Sequence, residues 1–121
     1  MDFRLTDEQK ALQELARDFA RKEIEPVAPH HDRTGEFASP VYAKAFDLGL
    51  MNTHIPEEYG GLGLGVLEAC VIAEEIAAGC SGIYACMEVN SLAEAPVIVA
   101  GTEDQKRRFL TPMTEKLTFA A

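Results

Sequence analysis

The sequence predicts an all-α protein, an up-and-down bundle of about five helices, on the basis of three observations. Apolar residues recur at helical spacing along most of the 121 residues. Residues 6–9 and 102–105 read TDEQ and TEDQ, the order of a capping box at a helix start. Composition that favours strands occurs only in residues 117–121. Helices are therefore expected to account for nearly all of the chain.

Composition and charge exclude several classes of protein. A hydrophobic fraction of 47% with 26% charged residues is typical of one globular domain and too apolar for a disordered chain. The formal net charge of −9 argues against a nucleic-acid partner and against an anionic membrane surface. Cys70, Cys80 and Cys86 form no C-x-x-C pair and are interpreted as buried small hydrophobes in a reducing compartment.

Neither a targeting segment nor a membrane span is expected. Met1 is followed almost at once by the first capping box, without the basic and apolar regions of a signal peptide. The most apolar segment, residues 83–100, is interrupted by Glu88, Asn90 and Glu94. The expected location is the cytoplasm for a bacterial protein, or the mitochondrial matrix for a processed eukaryotic one.

The first helix is predicted to follow the capping box at Thr6. Six residues at helical spacing form its apolar face: Leu12, Leu15, Ala16, Phe19, Ala20 and Ile24. Pro26 ends or kinks this helix, and residues 30–35 are interpreted as a polar connection. A short second helix is predicted to begin with Ser39 as N-cap and Pro40 in its first turn.

A glycine-rich loop is predicted between the second and third helices. Gly49 closes the second helix in a left-handed conformation. Residues 51–65 then contain five turn formers: Pro56, Gly60, Gly61, Gly63 and Gly65. A phosphate cradle of the dinucleotide type requires a preceding strand, whereas a helix precedes this loop. The sequence therefore favours a role in shaping the backbone, through positive φ angles or the close approach of another segment.

Two apolar helices follow, over residues 65–78 and 83–100, separated by a Gly-Cys-Ser-Gly break. They carry so little charge that each is expected to need cover on more than one side. The second capping box starts a last helix that runs to about residue 111. Residues 117–121 are interpreted as the start of a strand.

Few residues are candidates for chemistry. His30, His31, Asp32 and His54 suggest a metal cluster, but adjacent histidines point in different directions, so solvated loop residues are favoured. Two pairs of adjacent glutamates do not face each other on a helix and form no carboxylate dyad. We therefore expect no catalytic residue and no metal ligand in this chain.

Glu88 lies in the middle of an apolar helix, with Tyr84 four residues before it and Leu92 four residues after it. The three side chains therefore share one stripe of the helix. A carboxylate in such surroundings must find a partner, reach water or raise its pKa. Two interpretations stay open: an exposed helix edge that Glu94 continues, or a polar group at the closed end of an apolar tunnel.

Residues 49–82 resemble the N-terminal domain of the acyl-CoA dehydrogenases, most closely the medium-chain type. The shared order is an Ile-Pro-Glu turn, a GG-G-G loop and a helix with paired glutamates before a Gly-Cys-(Ser/Thr)-Gly break. The matching residues are Ile55, Pro56, Glu57, Gly60, Gly61, Gly63, Gly65, Glu74, Glu75, Gly79, Cys80, Ser81 and Gly82. The resemblance implies that residues 1–116 form the family's N-terminal helical domain and that residues 117–121 begin its β-domain.

The same resemblance implies a substrate site on the second apolar helix. In medium-chain members this helix lines the base of the fatty-acyl pocket through a Glu-x-Asn-Ser-Leu motif, which Glu88 and Leu92 match. One turn earlier the family has glutamine, where this chain has Tyr84. The expected substrate-binding residues are therefore Tyr84, Glu88 and Leu92, with an aromatic ring that shortens or reshapes the pocket.

For the complete enzyme, the resemblance implies FAD-dependent α,β-dehydrogenation of fatty acyl-CoA thioesters in fatty-acid β-oxidation. Electrons would pass to electron-transfer flavoprotein, and the enzyme would assemble as a homotetramer. The family's catalytic glutamate and most flavin contacts lie outside these residues, so no cofactor-binding residue is assigned and the chain alone is expected to be inactive. The alternatives are a freestanding non-catalytic helical module that binds an acyl chain or a partner, and part of a sister acyl-CoA oxidase or branched-chain dehydrogenase.

Overall fold

The computed structural model describes residues 3–120, and this part of the chain is helical without any strand. The helices are α1 Asp7–Phe19, α2 Ala28–Thr34, α3 Ser39–Asp47, α4 Val66–Gly79, α5 Ser81–Ala100, α6 Glu103–Phe109 and α7 Thr111–Glu115. A π-helical turn, Ala20–Ile24, continues α1, and a 3-10 turn, Glu57–Tyr59, lies in the glycine-rich loop. The predicted all-α class is confirmed.

The described residues contain seven α-helices, two more than the predicted number of about five. Helix α2 lies where a polar connection was predicted, with Pro29 in its first turn and Gly35 in a left-handed conformation at its end. The last predicted helix is divided into α6 and α7, because Pro112 has no N–H with which to continue the hydrogen-bond ladder.

The caps at helix starts follow the sequence in two cases and differ in a third. At α1, Thr6 Oγ1 accepts from the Gln9 amide, while the Gln9 side chain accepts from the Thr6 amide at 2.9 Å. The same reciprocal pair forms between Thr102 and Gln105 at α6, so both predicted capping boxes are confirmed. The prediction of Ser39 as N-cap is wrong: Ala38 occupies that position, and Ser39 is already helical.

The main core lies where α1 packs along α4 and α4 packs against α5. Its fully or nearly fully buried residues include Ala16, Phe19, Ile24, Tyr42, Ala45, Ile72, Ile76, Ile83 and Met87. At the end of α4 a Cβ on Gly79 would lie 3.1 Å from the Ala20 Cβ, which shows how closely the two backbones approach. Arg17 adds a two-pronged contact to Glu75, at 2.9 and 2.6 Å.

The glycine-rich loop has its own small core, which holds it against α6 and α7. Ile55, Tyr59, Leu110 and Met113 are buried together there. The Tyr59 hydroxyl donates to Glu103 Oε2 at 2.8 Å, and burial together with this bond raises the pKa of Tyr59 to about 12.

Inside the loop, backbone groups satisfy one another. Gly61 N–H donates to the Pro56 carbonyl at 3.2 Å, and Gly63 N–H donates to the Ile55 carbonyl at 2.8 Å. A Cβ on Gly61 would lie 1.9 Å from the Ile55 carbonyl oxygen, so no side chain fits. Gly60 and Gly63 have φ angles of 88° and 59°. The prediction that this loop shapes the backbone is confirmed. The amides of Gly61 and Gly63 are already hydrogen-bonded and are not free to bind a phosphate.

Several apolar side chains of α4 and α5 remain on the surface. Val66, Leu92 and Val99 are 76%, 73% and 83% exposed. Helix α5 is, within residues 3–120, the one helix long and apolar enough to cross a membrane. A single helix of this kind is weak support for a span, because core helices pass the same test. The absence of a span therefore stays a prediction.

The three cysteines are all free thiols, but they are not buried alike. Cys80 and Cys86 are partly buried beside the main core. Cys70 is exposed on α4, so its predicted burial is wrong. Helical periodicity accounts for the difference, since Val71 and Ile72 occupy the buried face and turn Cys70 outward.

Candidate functional site

Helix α5 brings two of the three predicted substrate-binding residues together. The Tyr84 hydroxyl donates to Glu88 Oε2 at 2.9 Å, one helical turn away. Both side chains are partly buried, whereas Leu92 is on the surface. Burial, followed by the bond to Glu88, raises the pKa of Tyr84 far above its ordinary value. Tyr84 therefore stays a neutral hydrogen-bond donor at all physiological pH values.

The Tyr84–Glu88 pair lines a narrow crevice between α4, α5 and the start of the glycine-rich loop. Ala69 and Ile72 from α4 form one side, and residues 50–53 form another. The free volume is about 10 Å³, room for roughly one water molecule. This crevice has no room for an acyl chain within the described chain, and an apolar tunnel closed by the pair stays a prediction.

A buried polar network lies on the next face of α5 and was not predicted. Asn90 is fully buried and donates to Asn52 Oδ1 and to the Thr118 carbonyl, both at 2.8 Å. Its Oδ1 accepts from the Ala120 amide at 2.9 Å, and Asn52 in turn donates to the Met113 carbonyl. One asparagine therefore bonds two backbone groups of the C-terminal segment as a strand partner would. Residues 117–120 are not a strand, and the proposed start of a β-domain stays a prediction.

Glu94 contradicts one of the two interpretations of this helix. An exposed edge containing Glu88 and continued by Glu94 was one possibility, but Glu94 is only 3% exposed. Neither of its carboxylate oxygens has a hydrogen-bond partner among the described residues. Burial raises the pKa of this carboxyl to about 7, with a smaller contribution from the Glu88 carboxylate.

Helical periodicity was the signal that could have found Asn90 and Glu94. The buried residues of α5 are Ile83, Met87, Asn90 and Glu94, spaced four, three and four apart. Once Ile83 and Met87 are assigned to the core, the same face must contain Asn90 and Glu94. The pattern was missed because a buried helix face is recognised by its apolar residues, and two of the four residues here are polar.

The other candidates from the sequence form no site in the described part of the chain. His30, His31 and Asp32 lie in α2 and not in the predicted loop, and His30 Nε2 lies 2.9 Å from Glu36 Oε2 on the surface. No group of three potential metal-ligating side chains occurs within residues 3–120. Of the adjacent glutamates on α4, Glu75 binds Arg17 and Glu74 is exposed.

The helical order, the glycine-rich loop and the α4–α5 pair define the class of protein. A family model described as acyl-CoA dehydrogenase, N-terminal domain, matches residues 6–116. The chain belongs to this family.

Two sequence relatives and one solved structure support the same assignment. The chain is 44% identical to probable acyl-CoA dehydrogenase YngJ of Bacillus subtilis, over 93% of this chain and 30% of that protein. It is 40% identical to 3-(aryl)acrylate reductase of Clostridium sporogenes, over 89% of this chain and 29% of that protein. The structure of butyryl-CoA dehydrogenase from Megasphaera elsdenii superposes with a TM-score of 0.86 at 34% identity, over 95% of this chain and 31% of that one. The chain thus spans less than a third of each of these relatives.

Proposed function

We propose that this chain is the N-terminal domain of an FAD-dependent acyl-CoA dehydrogenase and forms one wall of its acyl pocket. The Tyr84–Glu88 pair is the observation that supports the pocket wall. It puts an aromatic ring and a hydrogen-bonded carboxylate side by side on a largely apolar helix. An acyl chain running along the apolar surface of α5 would stop at this pair. Leu92, exposed one turn further on, would contact the same chain.

Each of the three residues has a distinct part in this proposal. The Tyr84 ring occupies volume that a longer acyl chain would need. Its hydroxyl occupies one acceptor of Glu88, which fixes the carboxylate and keeps it from turning toward an apolar tail. Leu92 supplies apolar area without changing the length of the pocket.

FAD is assigned to the whole enzyme and not to residues of this chain. When bound, it supplies the two-electron acceptor for the reaction. The loop that most resembles a phosphate cradle has its Gly61 and Gly63 amides bonded internally, so these residues do not fit the flavin's phosphates. The proposal for the whole enzyme has four further parts. The substrate is a fatty acyl-CoA in β-oxidation, and electron-transfer flavoprotein accepts the electrons. The enzyme is a homotetramer and is located in the cytoplasm or the mitochondrial matrix.

A reductase is the second candidate, favoured by the 40% identity to 3-(aryl)acrylate reductase. Reduction of a conjugated double bond and α,β-dehydrogenation are one reaction in opposite directions. None of the residues named above favours either direction. Assays of the full-length protein with saturated and unsaturated thioesters, and with the free unsaturated acid, would distinguish the two.

In the full-length enzyme, Tyr84→Gln is expected to shift the chain-length preference toward longer acyl groups. The smaller side chain frees space at the closed end, and each additional buried methylene is worth about 0.8 kcal/mol, or about fourfold in kcat/KM. The measurement is kcat/KM across a series of straight-chain acyl-CoA thioesters. Tyr84→Phe is the matched control, because it keeps the ring and removes only the bond to Glu88. If both variants keep the wild-type profile, Tyr84 does not line the pocket.

The purified 121-residue chain is expected to be colourless and inactive. It has no assigned catalytic base, and its glycine-rich loop offers no free amides at Gly61 and Gly63 for a flavin phosphate. The measurements are the visible absorbance spectrum and acyl-CoA-dependent reduction of an artificial electron acceptor. A yellow preparation, or dye reduction above the background without protein, would contradict the proposal that the flavin site and the catalytic base lie outside this chain.

A further inference from the structure

Asn52 joins the loop wall of the crevice beside Tyr84 and Glu88 to helix α5. The residues of this wall, 50–53, are all buried. Asn52 Oδ1 accepts a hydrogen bond from Asn90 Nδ2 of α5 at 2.8 Å. Among the described residues, this is the one hydrogen bond between residues 50–53 and α5. The polar attachment of the loop wall to the helix therefore depends on a single pair of side chains.

Both side chains of this pair are fixed by further hydrogen bonds. Asn52 Nδ2 donates to the Met113 carbonyl of α7 at 2.7 Å. Asn90 is fully buried, and its Nδ2 also donates to the Thr118 carbonyl while its Oδ1 accepts from the Ala120 amide. A buried amide cannot rotate without leaving such partners unsatisfied, which costs free energy. The bond between the two asparagines is therefore held in one geometry.

The backbone of Asn52 shows what its side chain contributes. Its φ angle is 57°, the one positive φ of a non-glycine residue in the described chain. Glycine adopts this left-handed conformation without steric cost, so the backbone itself requires no side chain here. The contribution of the asparagine lies in its two hydrogen bonds, to Asn90 and to Met113. Replacement by glycine therefore removes these bonds and leaves the backbone unstrained.

The crevice leaves almost no space behind Tyr84 and Glu88. Its volume is about 10 Å³, and the buried Met51 of the loop wall and Met87 of α5 both line it. While residues 50–53 are held against α5, neither the tyrosine ring nor the carboxylate can move back into the crevice. If these two walls separated, the pair would gain the room to do so.

We propose that Asn52 and Asn90 are positioning residues that set the acyl-chain length accepted by the full-length enzyme. They act through Tyr84 and Glu88, because the wall that they hold in place keeps this pair from moving away from an acyl chain. Their role rests on the function proposed for the pair as the closed end of the acyl pocket. Neither asparagine touches the acyl chain itself.

Asn52→Gly in the full-length enzyme tests this role, with kcat/KM measured across a series of straight-chain acyl-CoA thioesters. The ratio of kcat/KM for a longer thioester to that for the preferred one is expected to rise about fourfold for each additional methylene that the pocket accepts. A destabilised enzyme has a smaller active fraction, which lowers kcat/KM equally for every thioester and leaves this ratio unchanged. His54→Ala is the matched control, because it removes a hydrogen bond of the same loop, to the Leu64 carbonyl, that does not reach α5.

Asn90→Ala breaks the same bond from the side of α5 and is expected to raise the ratio in the same direction. It serves as the second variant if Asn52→Gly does not fold. An equal rise in His54→Ala would overturn the positioning role, because any loosening of the loop would then be sufficient.

Tyr84→Gln separates failure of this role from failure of the proposed function. If Tyr84→Gln raises the ratio and Asn52→Gly leaves it unchanged, the positioning role is wrong and the acyl wall stands. If neither variant changes the ratio, both are wrong. A rise in Asn52→Gly without one in Tyr84→Gln would also overturn the positioning role, because the asparagine would then not act through the pair.

Discussion

Gly61→Ala is expected to destabilise the chain by about 3 kcal/mol or more, a large share of the stability of a domain of this size. The added Cβ would lie 1.9 Å from the Ile55 carbonyl oxygen and 2.5 Å from its carbon. Both are backbone atoms in a loop fixed by the Gly63–Ile55 hydrogen bond, so the strain cannot be relieved by a side-chain rotation. The measurement is the free energy of unfolding from urea denaturation followed by circular dichroism.

Gly82→Ala is the matched control for this substitution. Gly82 lies in the first turn of α5, and an added Cβ would meet only the Cys80 sulfur at 3.9 Å. Because alanine favours helix over glycine, this variant is expected to be neutral or more stable by about 0.5–1 kcal/mol. If Gly61→Ala behaved like Gly82→Ala, the close approach of the loop to Ile55 would be refuted.

Glu94→Gln is expected to stabilise the chain by about 3 kcal/mol at about pH 8 and to have almost no effect at about pH 4. The pKa of Glu94 is raised from its ordinary value of 4.5 to about 7 in the folded chain. The folded state therefore binds a proton that the unfolded state releases between these two values. Stability from this group is lost as pH rises through that window and is constant above it. Glutamine cannot ionise, so the variant escapes the loss.

The difference in unfolding free energy between wild type and variant, measured at several pH values, tests this prediction. The difference isolates Glu94 from carboxylates with the opposite behaviour. Glu75, for example, has its pKa lowered by the hydrogen bond from Arg17, so its contribution is lost as pH falls. Glu14→Gln, an exposed change, should give a pH-independent difference near zero. A flat difference for Glu94→Gln as well would mean that water or a rearranged side chain already satisfies the carboxylate.

Helix α5 thus has two polar surfaces with different consequences. Tyr84 and Glu88 are hydrogen-bonded to each other beside a crevice of about 10 Å³. On the next face Asn90 is satisfied and holds the C-terminal segment, while Glu94 is left without a partner.

Local rules were sufficient for much of the fold. The helix starts at Thr6 and Thr102 could be predicted because a capping box involves only four consecutive residues. Gly49 ends α3 in a left-handed conformation, as its position after the last apolar residue predicts. The contact between Tyr84 and Glu88 could also be predicted, since residues four apart on a helix are neighbours.

By itself, the sequence determined the all-α class, the sites of most helix ends and the resemblance that the family match confirms. Each of these depends on interactions between residues close together in the chain. The burial of Glu94, the bonds from Asn90 to the C-terminal segment and the exclusion of a side chain at Gly61 were decided only by the tertiary structure. They depend on which segments pack against each helix face, and contacts between residues distant in sequence determine that packing.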